Sequence, residues 1–439
     1  MNEFILPSYV EEVLSRLRQN GYQAYVVGGA VRDFLLGEET HDFDICTSAR
    51  ENVVDQLFSD KKKINPNGVK HGTITIRIAH QNVEITSFRH NPGEEPSLET
   101  DLRHRDLTIN SIAYDGEFID PYGGINNLQN RILRMVDPEA VIKEDPLRIL
   151  RALRFQTKLG FQIDDATKAA MIRHANLLRE VATERILAEL RIILLHPKID
   201  VVLQEYQDIF TVLFPDLKPT VGFDQHTRWH AHTLYVHISH VVANVPPDFT
   251  LRLAALLHDN GKIKTVTRED LPDGGYCYHF YGHPAVSAAM AETEFIRHHL
   301  PLLETSQTLF LIRYHDIHIG TSKHSVRKML QHCLEADGIA PLEILRKLLY
   351  LQAADHADHT KFVPIEEDHI MAIAEEIVRN QEAFSLKDLK VNGHDMRRLG
   401  LRGPDIGSAL NQLLELVMAD QLPNDHDILM DYVRQQYKK

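Results

Sequence analysis

Two glycines at the end of an apolar run constrain this 439-residue chain more than any other feature. Residues 22–27 indicate a strand, and Gly28 and Gly29 follow it directly before a short helical pattern that starts at Ala30. A strand–glycine–helix turn lets backbone N–H groups approach an anion, and a helix N-terminus favours negative charge. Arg32, one turn into the helix, adds a guanidinium. The turn therefore predicts a site for a triphosphate.

Two aspartates follow this turn with one residue between them. Asp42 and Asp44 share one face of a predicted strand, while Phe43 and Ile45 face the core. Paired carboxylates suit Mg²⁺, which would bridge to substrate phosphates and activate a hydroxyl nucleophile. An isolated pair of this kind is usually a solvated turn. The glycine–arginine element upstream favours the metal site instead.

Five motifs in a fixed order resemble the class II tRNA nucleotidyltransferase and poly(A) polymerase family, within the polymerase-β-like superfamily. They are residues 28–33 (GGAVRD), 42–44 (DFD), 103–113 (RHRDLTINSIA), 120–124 (DPYGG) and 144–155 (EDPLRILRALRF). His104 and Leu107 depart from the family's RRDFTINA pattern. The resemblance implies an α+β fold: a nucleotidyltransferase head with a mixed sheet, then an all-helical neck, an HD domain and a tail.

The resemblance also assigns roles to single residues. Gly28, Gly29 and Arg32 would hold the triphosphate, and Asp42 and Asp44 the catalytic Mg²⁺. The positions that contact the triphosphate, ribose or primer end are Arg105, Asp106, Asn110, Arg151 and Arg154. Glu84, on a predicted strand over residues 83–86, is a candidate for a third catalytic carboxylate.

A base-reading pair is implied by the last motif. In the family, the aspartate and first arginine of this motif read the incoming base, and here these are Asp145 and Arg148. A carboxylate accepts from the exocyclic amine of cytosine or adenine, and arginine donates to a ring nitrogen or carbonyl. Uracil and guanine offer a carbonyl where the amine would be, so the pair can select CTP and ATP.

The segment between Arg89 and Arg103 is shorter than in relatives that complete the CCA end, and it contains no arginine. In the family, loss of this loop is associated with enzymes that add only the two cytidines. We therefore expect a tRNA 3′-end nucleotidyltransferase that adds CMP without a nucleic-acid template. Complete CCA addition from CTP and ATP, A-only addition and poly(A) synthesis remain alternatives, as does a surface deletion without effect on the product.

Histidines concentrate in the second half, where sixteen of the 26 lie between His226 and His359. The pattern resembles the H…HD…D motif of HD-domain metal phosphohydrolases. Its residues are His232, His258, Asp259 and Asp355, with His283 and His315 where two-metal members place further ligands. Imidazole with carboxylate suits a second divalent metal, Mn²⁺, Ni²⁺ or Co²⁺, or else Mg²⁺, better than a structural zinc.

Two further functions stay open at this stage. In the first, the main activity is phosphohydrolysis of RNA ends by the HD half. In the second, the chain is an RNA-binding scaffold with an inactive head. The presence of both Asp42 and Asp44 argues against the scaffold hypothesis, because an inactive head would not need the metal-binding pair.

Length and charge agree with an RNA enzyme of several domains. A chain of this size favours roughly two to four domains. We predict a head over 1–130, a neck with the template motif over 131–205, an HD domain over 225–365 and a helical tRNA-binding tail over 384–439. Residues 131–198 carry thirteen Lys and Arg against nine Asp and Glu, although the net charge is −14. This local basic face would contact RNA.

Three scattered cysteines give neither a disulfide framework nor a CxxC metal site. The sequence has no apolar run that approaches a membrane span, and its first ten residues lack the features of a signal peptide. We expect a soluble cytoplasmic protein whose partners are tRNA and CTP, with ATP as the alternative nucleotide.

Overall fold

A computed structural model describes residues 4–40, 42–64, 72–227, 231–272, 274–358 and 366–436. The chain forms two compact units, Met1–Ile193 and Leu194–Lys439. The predicted α+β class is confirmed, since a seven-stranded mixed sheet is followed by a helical region. That region also contains two small two-stranded sheets. The finer division into four domains stays a prediction. Its neck range spans the boundary of the units, and its HD range includes 228–230, 273 and 359–365, outside the described residues.

The first unit alternates strands and helices. Its strands are β1 Ala24–Val27, β2 Phe43–Thr47, β3 Lys62–Lys63, β4 Thr73–Ile78, β5 Gln81–Ser87, β6 Ala113–Tyr114, β7 Phe118–Ile119, β8 Ile132–Leu133 and β9 Gln162–Ile163. Its helices are α1 Ser8–Gln19, α2 Gly29–Leu36, α3 Glu51–Leu57, α4 Leu98–Arg103, α5 Gly124–Gln129, α6 Pro138–Glu144, α7 Arg148–Leu159, α8 Asp165–Arg173 and α9 Thr183–Leu194, which runs to the boundary.

The sheet places β2 at its centre, in the order β3-β4-β5-β2-β1-β6-β7. β2 runs antiparallel to β1 and parallel to β5, with Asp44 opposite Val27 on one side and Glu84 on the other. Phe43 and Ile45 are buried as predicted, because side chains alternate between the faces of a strand. Asp44 and Glu84 therefore project from the same face of neighbouring strands.

In the part of the second unit that the structure describes, there are helices and one hairpin. Its helices are α10 Ile199–Glu205, α11 Gln207–Leu213, α12 Leu234–Asn244, α13 Phe249–Leu257, α14 Lys262–Thr265, α15 His283–Arg297, α16 Leu302–Tyr314, α17 Lys323–Cys333, α18 Pro341–Ala357, α19 Glu367–Arg379, α20 Gly393–Arg398, α21 Pro404–Met418 and α22 His426–Gln436. The hairpin pairs β10 Thr267–Asp270 with β11 Tyr276–His279. None of the described helices is both long and apolar enough to cross a membrane.

Helix α13 is the centre of this unit and is buried along its whole length. Asp248 caps it by accepting the Leu251 N–H at 2.9 Å, which satisfies one of the free donors at a helix N-terminus. The helix ends at Leu257, so His258 and Asp259 stand inside the core. A Cβ on Gly261 would lie 2.4 Å from the carbonyl oxygen of His283. This close approach places α15 directly against the His–Asp turn.

Candidate functional site

The turn between β1 and α2 requires glycine at position 28 for two reasons. Gly28 has φ +74°, a conformation that side chains other than glycine adopt at a cost. A Cβ there would also lie 3.2 Å from Nη1 of Arg105 and 3.3 Å from Oδ2 of Asp44. The missing side chain thus lets a guanidinium and a carboxylate meet the start of α2.

Three carboxylates form an acidic group at one end of β2. Partial burial and the neighbouring charges of Asp44 and Asp42 raise the pKa of Glu84. Burial also raises the pKa of Asp44, which Arg105 and Arg89 oppose and Asp42 supports. Repulsion of this kind is relieved by a divalent cation, so the donor set fits a hard metal ion. Asp42 lies just before the strand and is exposed.

Arginines from α2 and α7 are held by a buried polar network. Arg32 donates to Oδ1 of Asn110 at 2.7 Å and stacks over the ring of Phe155 at 5.0 Å. Asp106 accepts from Nδ2 of Asn110 at 2.8 Å and from Nε and Nη2 of Arg151 at 2.9 and 2.6 Å. Burial alone would raise the pKa of Asp106, but these donors hold it at about 2. The network fixes both guanidiniums.

A second buried pair holds Arg105. Its Nε and Nη2 donate to Oδ2 of the fully buried Asp101 at 3.1 and 2.9 Å. Burial would lower the pKa of Arg105, but Asp101 raises it above its usual value. Nη1 then faces Gly28. A permanently charged group is thus presented beside the glycine turn.

The two predicted base-reading residues are held by different partners. Arg148 donates to Oε2 of Glu144 at 2.8 Å, to the carbonyl oxygen of Val141 at 3.1 Å and to that of His104 at 2.8 Å. Asp145 caps the end of α6, where its carboxylate lies 2.8 Å from Nη2 of Arg185. The guanidinium of Arg148 is therefore fixed by backbone as well as by a carboxylate.

These residues line one cavity of about 1010 Å³ in the first unit. Six arginines and four carboxylates contribute to it. The lining residues are Gly28, Gly29, Arg32, Asp44, Thr73, Arg89, His90, Arg105, Asp106, Asn110, Glu144, Asp145, Arg148, Arg151, Phe155 and Arg185. The excess of guanidinium groups suits a polyanion such as a triphosphate.

Three predicted site residues lie outside this lining. Asp42 and Glu84 belong to the acidic group beside it, and Nε of Arg154 lies 3.2 Å from Oε2 of Glu189. Sequence reasoning missed Arg89, which follows β5, and Arg185 on α9. Arg89 has a local signal, since it lies two residues after the strand that carries Glu84. Arg185 has none, because it stands forty positions after Asp145.

The short connection between β5 and α4 is tied down by Glu94. This carboxylate accepts the Asn91 N–H at 3.0 Å and pairs with Arg103. These contacts hold the pKa of Glu94 at about 2. Nε2 of His104 lies 3.5 Å from Glu94, and its Nδ1 lies 3.2 Å from Glu144. The departure to histidine thus links the short loop to the carboxylate that holds Arg148.

The second unit contains a separate buried group of metal-binding type. Its members are His237, His258, Asp259 and Asp355, whose ligand atoms all lie within 4.8 Å of one another. Nε2 of His237 lies 3.0 Å from Oδ1 of Asp355, and Nε2 of His258 lies 3.4 Å from Oδ2 of Asp259. Among the described residues, Nε2 of His258 has no hydrogen-bond partner. A buried imidazole nitrogen of this kind fits a metal ion.

The other oxygen of Asp259 faces a second group. Its Oδ1 lies 3.1 Å from Nε2 of His283 and 3.6 Å from Nε2 of His315. In His258, His283 and His315, Nδ1 lies 2.7–2.9 Å from a backbone carbonyl oxygen of the residue three positions earlier. A carbonyl only accepts, so Nδ1 carries the proton in each neutral ring. Nε2 of His283 and Nε2 of His315 lie 3.2 Å apart, so an ion placed between them and Asp259 would replace this contact.

His232 does not join the buried group to which the sequence pattern assigned it. Its side chain is 44% exposed, and it lies with His240 and Asp358 in a different cluster. His237 is 0% exposed and takes the expected place, because it lies on the buried face of α12, whereas His232 precedes the helix. The structure brings the other predicted residues, His258, Asp259 and Asp355, together.

Comparison with known proteins identifies the head. The model of the poly A polymerase head domain matches residues 24–134, and that of the probable RNA and SrmB-binding site of polymerase A matches residues 160–220. The CCA-adding enzyme of Ligilactobacillus salivarius is 35% identical over an alignment of 281 positions that covers 59% of this chain and 69% of that protein. The CC-adding tRNA nucleotidyltransferase of Halalkalibacterium halodurans is 40% identical over 180 residues, 40% of this chain and 46% of that protein.

A crystal structure of the Bacillus stearothermophilus CCA-adding enzyme in complex with CTP has the same fold. Its TM-score is 0.67 at 24% identity, over 99% of this chain and 98% of that chain. The chain spans about half the length of the first curated relatives it matches. The first unit thus carries the poly A polymerase head domain over residues 24–134. The chain belongs to the class II tRNA nucleotidyltransferase and poly(A) polymerase family.

Proposed function

We propose that the first unit transfers CMP from CTP to the 3′ end of tRNA. The observation that carries this proposal is the single cavity that joins the Gly28 turn, Asp44, an excess of arginines and the pair Asp145 and Arg148. The Gly28 turn and the arginines suit phosphate binding, Asp44 suits activation of the hydroxyl, and Asp145 with Arg148 suits selection of the base. One of the relatives above is named a CC-adding tRNA nucleotidyltransferase and the other a CCA-adding enzyme, which supports tRNA as the acceptor.

The tRNA 3′-oxygen forms a bond to the α-phosphorus and releases its proton to solvent, while the α–β anhydride breaks and pyrophosphate leaves with the electron pair of that bond. N–H groups at the start of α2, with Arg32 and Arg105, bind the triphosphate and stabilise the charge that moves onto it. Asp145 and Arg148 orient the base. Mg²⁺ held by Asp42 and Asp44, with Glu84 adjacent, would supply a Lewis acid for the phosphates and the attacking hydroxyl.

We further propose that the product ends at two cytidines. Cytosine and adenine differ in ring size, so one pair of side chains must shift to bind each in turn. Arg148 is held by Glu144 and two backbone carbonyls, and Glu144 is joined through His104 to the loop that Glu94 ties down. A loop fixed in this way opposes the shift. Complete CCA addition is the alternative.

Extension of tRNA transcripts tests both statements. Transcripts that end at the discriminator base, at C and at CC are incubated with CTP, ATP or both, and products are sized to one nucleotide. We expect two additions from CTP and none to the CC end with ATP in excess. Efficient A addition to the CC end refutes the proposal that addition stops at two cytidines, but it leaves the proposed nucleotide transfer standing. Failure to extend any transcript refutes the transferase, and a long A tail indicates a poly(A) polymerase.

A loop exchange tests the reason for the stop. Residues 91–97 are replaced by the longer segment of a CCA-adding relative, so that Arg89 and His90 of the cavity lining are kept. Some A addition is expected, because Asp145 and Arg148 suit either amine-bearing base. The matched control carries an insertion of the same length in the exposed turn at Gly116 between β6 and β7, whose residues do not line the cavity. If the control gains A addition equally, the loop does not set the product.

A second candidate function is two-metal phosphoester hydrolysis by the second unit. It rests on the two histidine groups that share Asp259, since paired cations stabilise both the attacking and the leaving oxygen of such a reaction. His237, His258 and Asp355 would hold one ion, and His283 and His315 the other. Release of phosphate or nitrophenol from phosphate mono- and diesters, with Mn²⁺, Ni²⁺, Co²⁺ or Mg²⁺ added, tests it. Equal rates for wild type and Asp259→Asn would exclude it.

A further inference from the structure

The hairpin β10–β11 places three different metal-binding side chains on one face. Glu269 and Cys277 are directly opposite in the antiparallel register, and His279 follows Cys277 by two positions. Residues two apart on a strand share a face, and directly opposite residues lie close together. A thiol, an imidazole and a carboxylate are thus gathered by register alone, without any CxxC or HxxxH spacing.

The distances among the three groups are close to those of ligands around one small cation. Nε2 of His279 lies 3.5 Å from Sγ of Cys277, and Sγ lies 4.0 Å from Oε2 of Glu269. Tetrahedral zinc, with bonds of about 2.3 Å to sulfur and about 2.0 Å to nitrogen or oxygen, separates such ligands by about 3.3–3.6 Å. His279 and Glu269 lie 2.5 Å apart, so this pair must open by about 1 Å to admit the ion.

The surroundings favour metal binding by Nε2 of His279. Its other nitrogen, Nδ1, lies 3.4 Å from the hydroxyl of Tyr281, an outer contact of the kind that orients ligating imidazoles. The carboxylate of Glu269 is largely exposed, and Cys277 is partly exposed, so an ion can enter from solvent. Cys46 and Cys333 are buried and lie in no ligand group of the described residues.

We propose that Glu269, Cys277 and His279 bind a borderline divalent cation of the zinc type, with a solvent molecule as fourth ligand. A thiolate in the donor set selects zinc or cobalt over Mg²⁺ and Mn²⁺. This separates the hairpin site from the two histidine groups around Asp259, which offer only nitrogen and oxygen. The site is independent of the nucleotidyl transfer and hydrolysis proposed above.

Cobalt substitution tests the site directly, because only a thiolate ligand gives a sulfur-to-cobalt charge-transfer band in the near ultraviolet. Purified full-length protein is stripped with chelator, kept reduced with a phosphine and titrated with Co²⁺. We expect the band to saturate at the intensity of one thiolate site per chain, after up to three equivalents of Co²⁺ in total because the two groups around Asp259 also bind it, and to be reversed by Zn²⁺. Cys277→Ser abolishes it, and His279→Asn and Glu269→Gln each weaken Co²⁺ binding at least tenfold.

Two matched variants separate this site from others. Cys333→Ser removes a buried thiol, and Asp355→Asn alters the histidine groups; both should leave the band unchanged. Absence of the band at saturating Co²⁺ in folded wild-type protein overturns the proposal and leaves a cross-strand His–Glu pair. Persistence of the band in Cys277→Ser overturns it as well.

Discussion

Glu144 accepts a hydrogen bond from Nη1 of Arg148 at 2.8 Å across the junction of α6 and α7. Glu144→Gln should raise the KM for CTP about twofold to fivefold at nearly constant kcat, because a pair with a 42% exposed carboxylate contributes less than about 1 kcal/mol. Steady-state kinetics measure this. Glu139→Gln, on the same helix but paired with Arg173 and His174, is the control. An equal rise in both variants would contradict the role of Glu144.

Glycine is needed at position 28 for space as well as for backbone conformation. Gly28→Ala should reduce CMP incorporation more than tenfold, because its Cβ would press on Arg105 and Asp44. Gly37→Ala is the matched control, since Gly37 has a similar φ of +76° but no neighbour within 4 Å of an added Cβ. Both variants should lose about 1–2 kcal/mol of stability from backbone strain. If incorporation falls equally in both, crowding at the turn is not the cause.

The two aspartates at the start of β2, Asp42 and Asp44, should be essential for transfer. Asp44→Asn and Asp42→Asn should each lower incorporation more than a hundredfold, because loss of a metal ligand removes several kcal/mol of transition-state stabilisation. Circular dichroism checks that the fold survives. Asp55→Asn removes an exposed carboxylate that pairs with Lys63, and it should keep wild-type activity. Retention of more than a tenth of the activity by either cavity variant would refute the assignment.

Metal content distinguishes His237 from His232. His237→Ala should lose the ion beside Oδ2 of Asp259, and His283→Ala should lose the ion beside Oδ1. The exposed His232→Ala should retain both ions. Elemental analysis of metal-loaded protein gives the stoichiometry, in the Cys277→Ser background so that the hairpin is silent. CMP incorporation should stay unchanged, since these residues lie in a different unit. Loss of metal from His232→Ala would reverse the assignment.

Acid should weaken the first unit through Asp106. Its folded pKa of about 2 lies below the unfolded value of about 3.9, so its stabilisation is full above the unfolded pKa and is lost as pH falls through the folded one. A depression of this size is worth about 2–3 kcal/mol. The difference in unfolding free energy between wild type and Asp106→Asn should be constant above pH 5 and shrink between about pH 4 and 2. Urea titrations with a fluorescence probe in the first unit measure this difference. A difference that does not change with pH would contradict stabilisation by the ionised Asp106.

Local patterns predicted the turn at Gly28 and the placement of Asp44 on the face of β2 opposite to the buried Phe43 and Ile45. Both features depend on neighbours only a few positions away. The choice between His232 and His237 could not be made in this way. Spacing alone does not say where a helix begins, and burial on α12 decides which histidine faces Asp259. Arg185 illustrates the same limit, since its contact with Asp145 depends on how α9 packs.

The hairpin shows what tertiary register adds. Cys277 carries no metal signal in the sequence, and its partner Glu269 is recognisable only once the two strands are paired. Residues whose meaning depends on long-range pairing were therefore missed, while those within one strand–turn–helix unit were found.

Asp259 presents one carboxylate oxygen to His237 and His258 and the other to His283 and His315. A carboxylate is rigid, so it cannot turn toward one pair without leaving the other. The first ion to bind would orient the shared group for the second. Occupancy of the two positions should therefore be cooperative, with a sigmoidal rather than a hyperbolic metal titration.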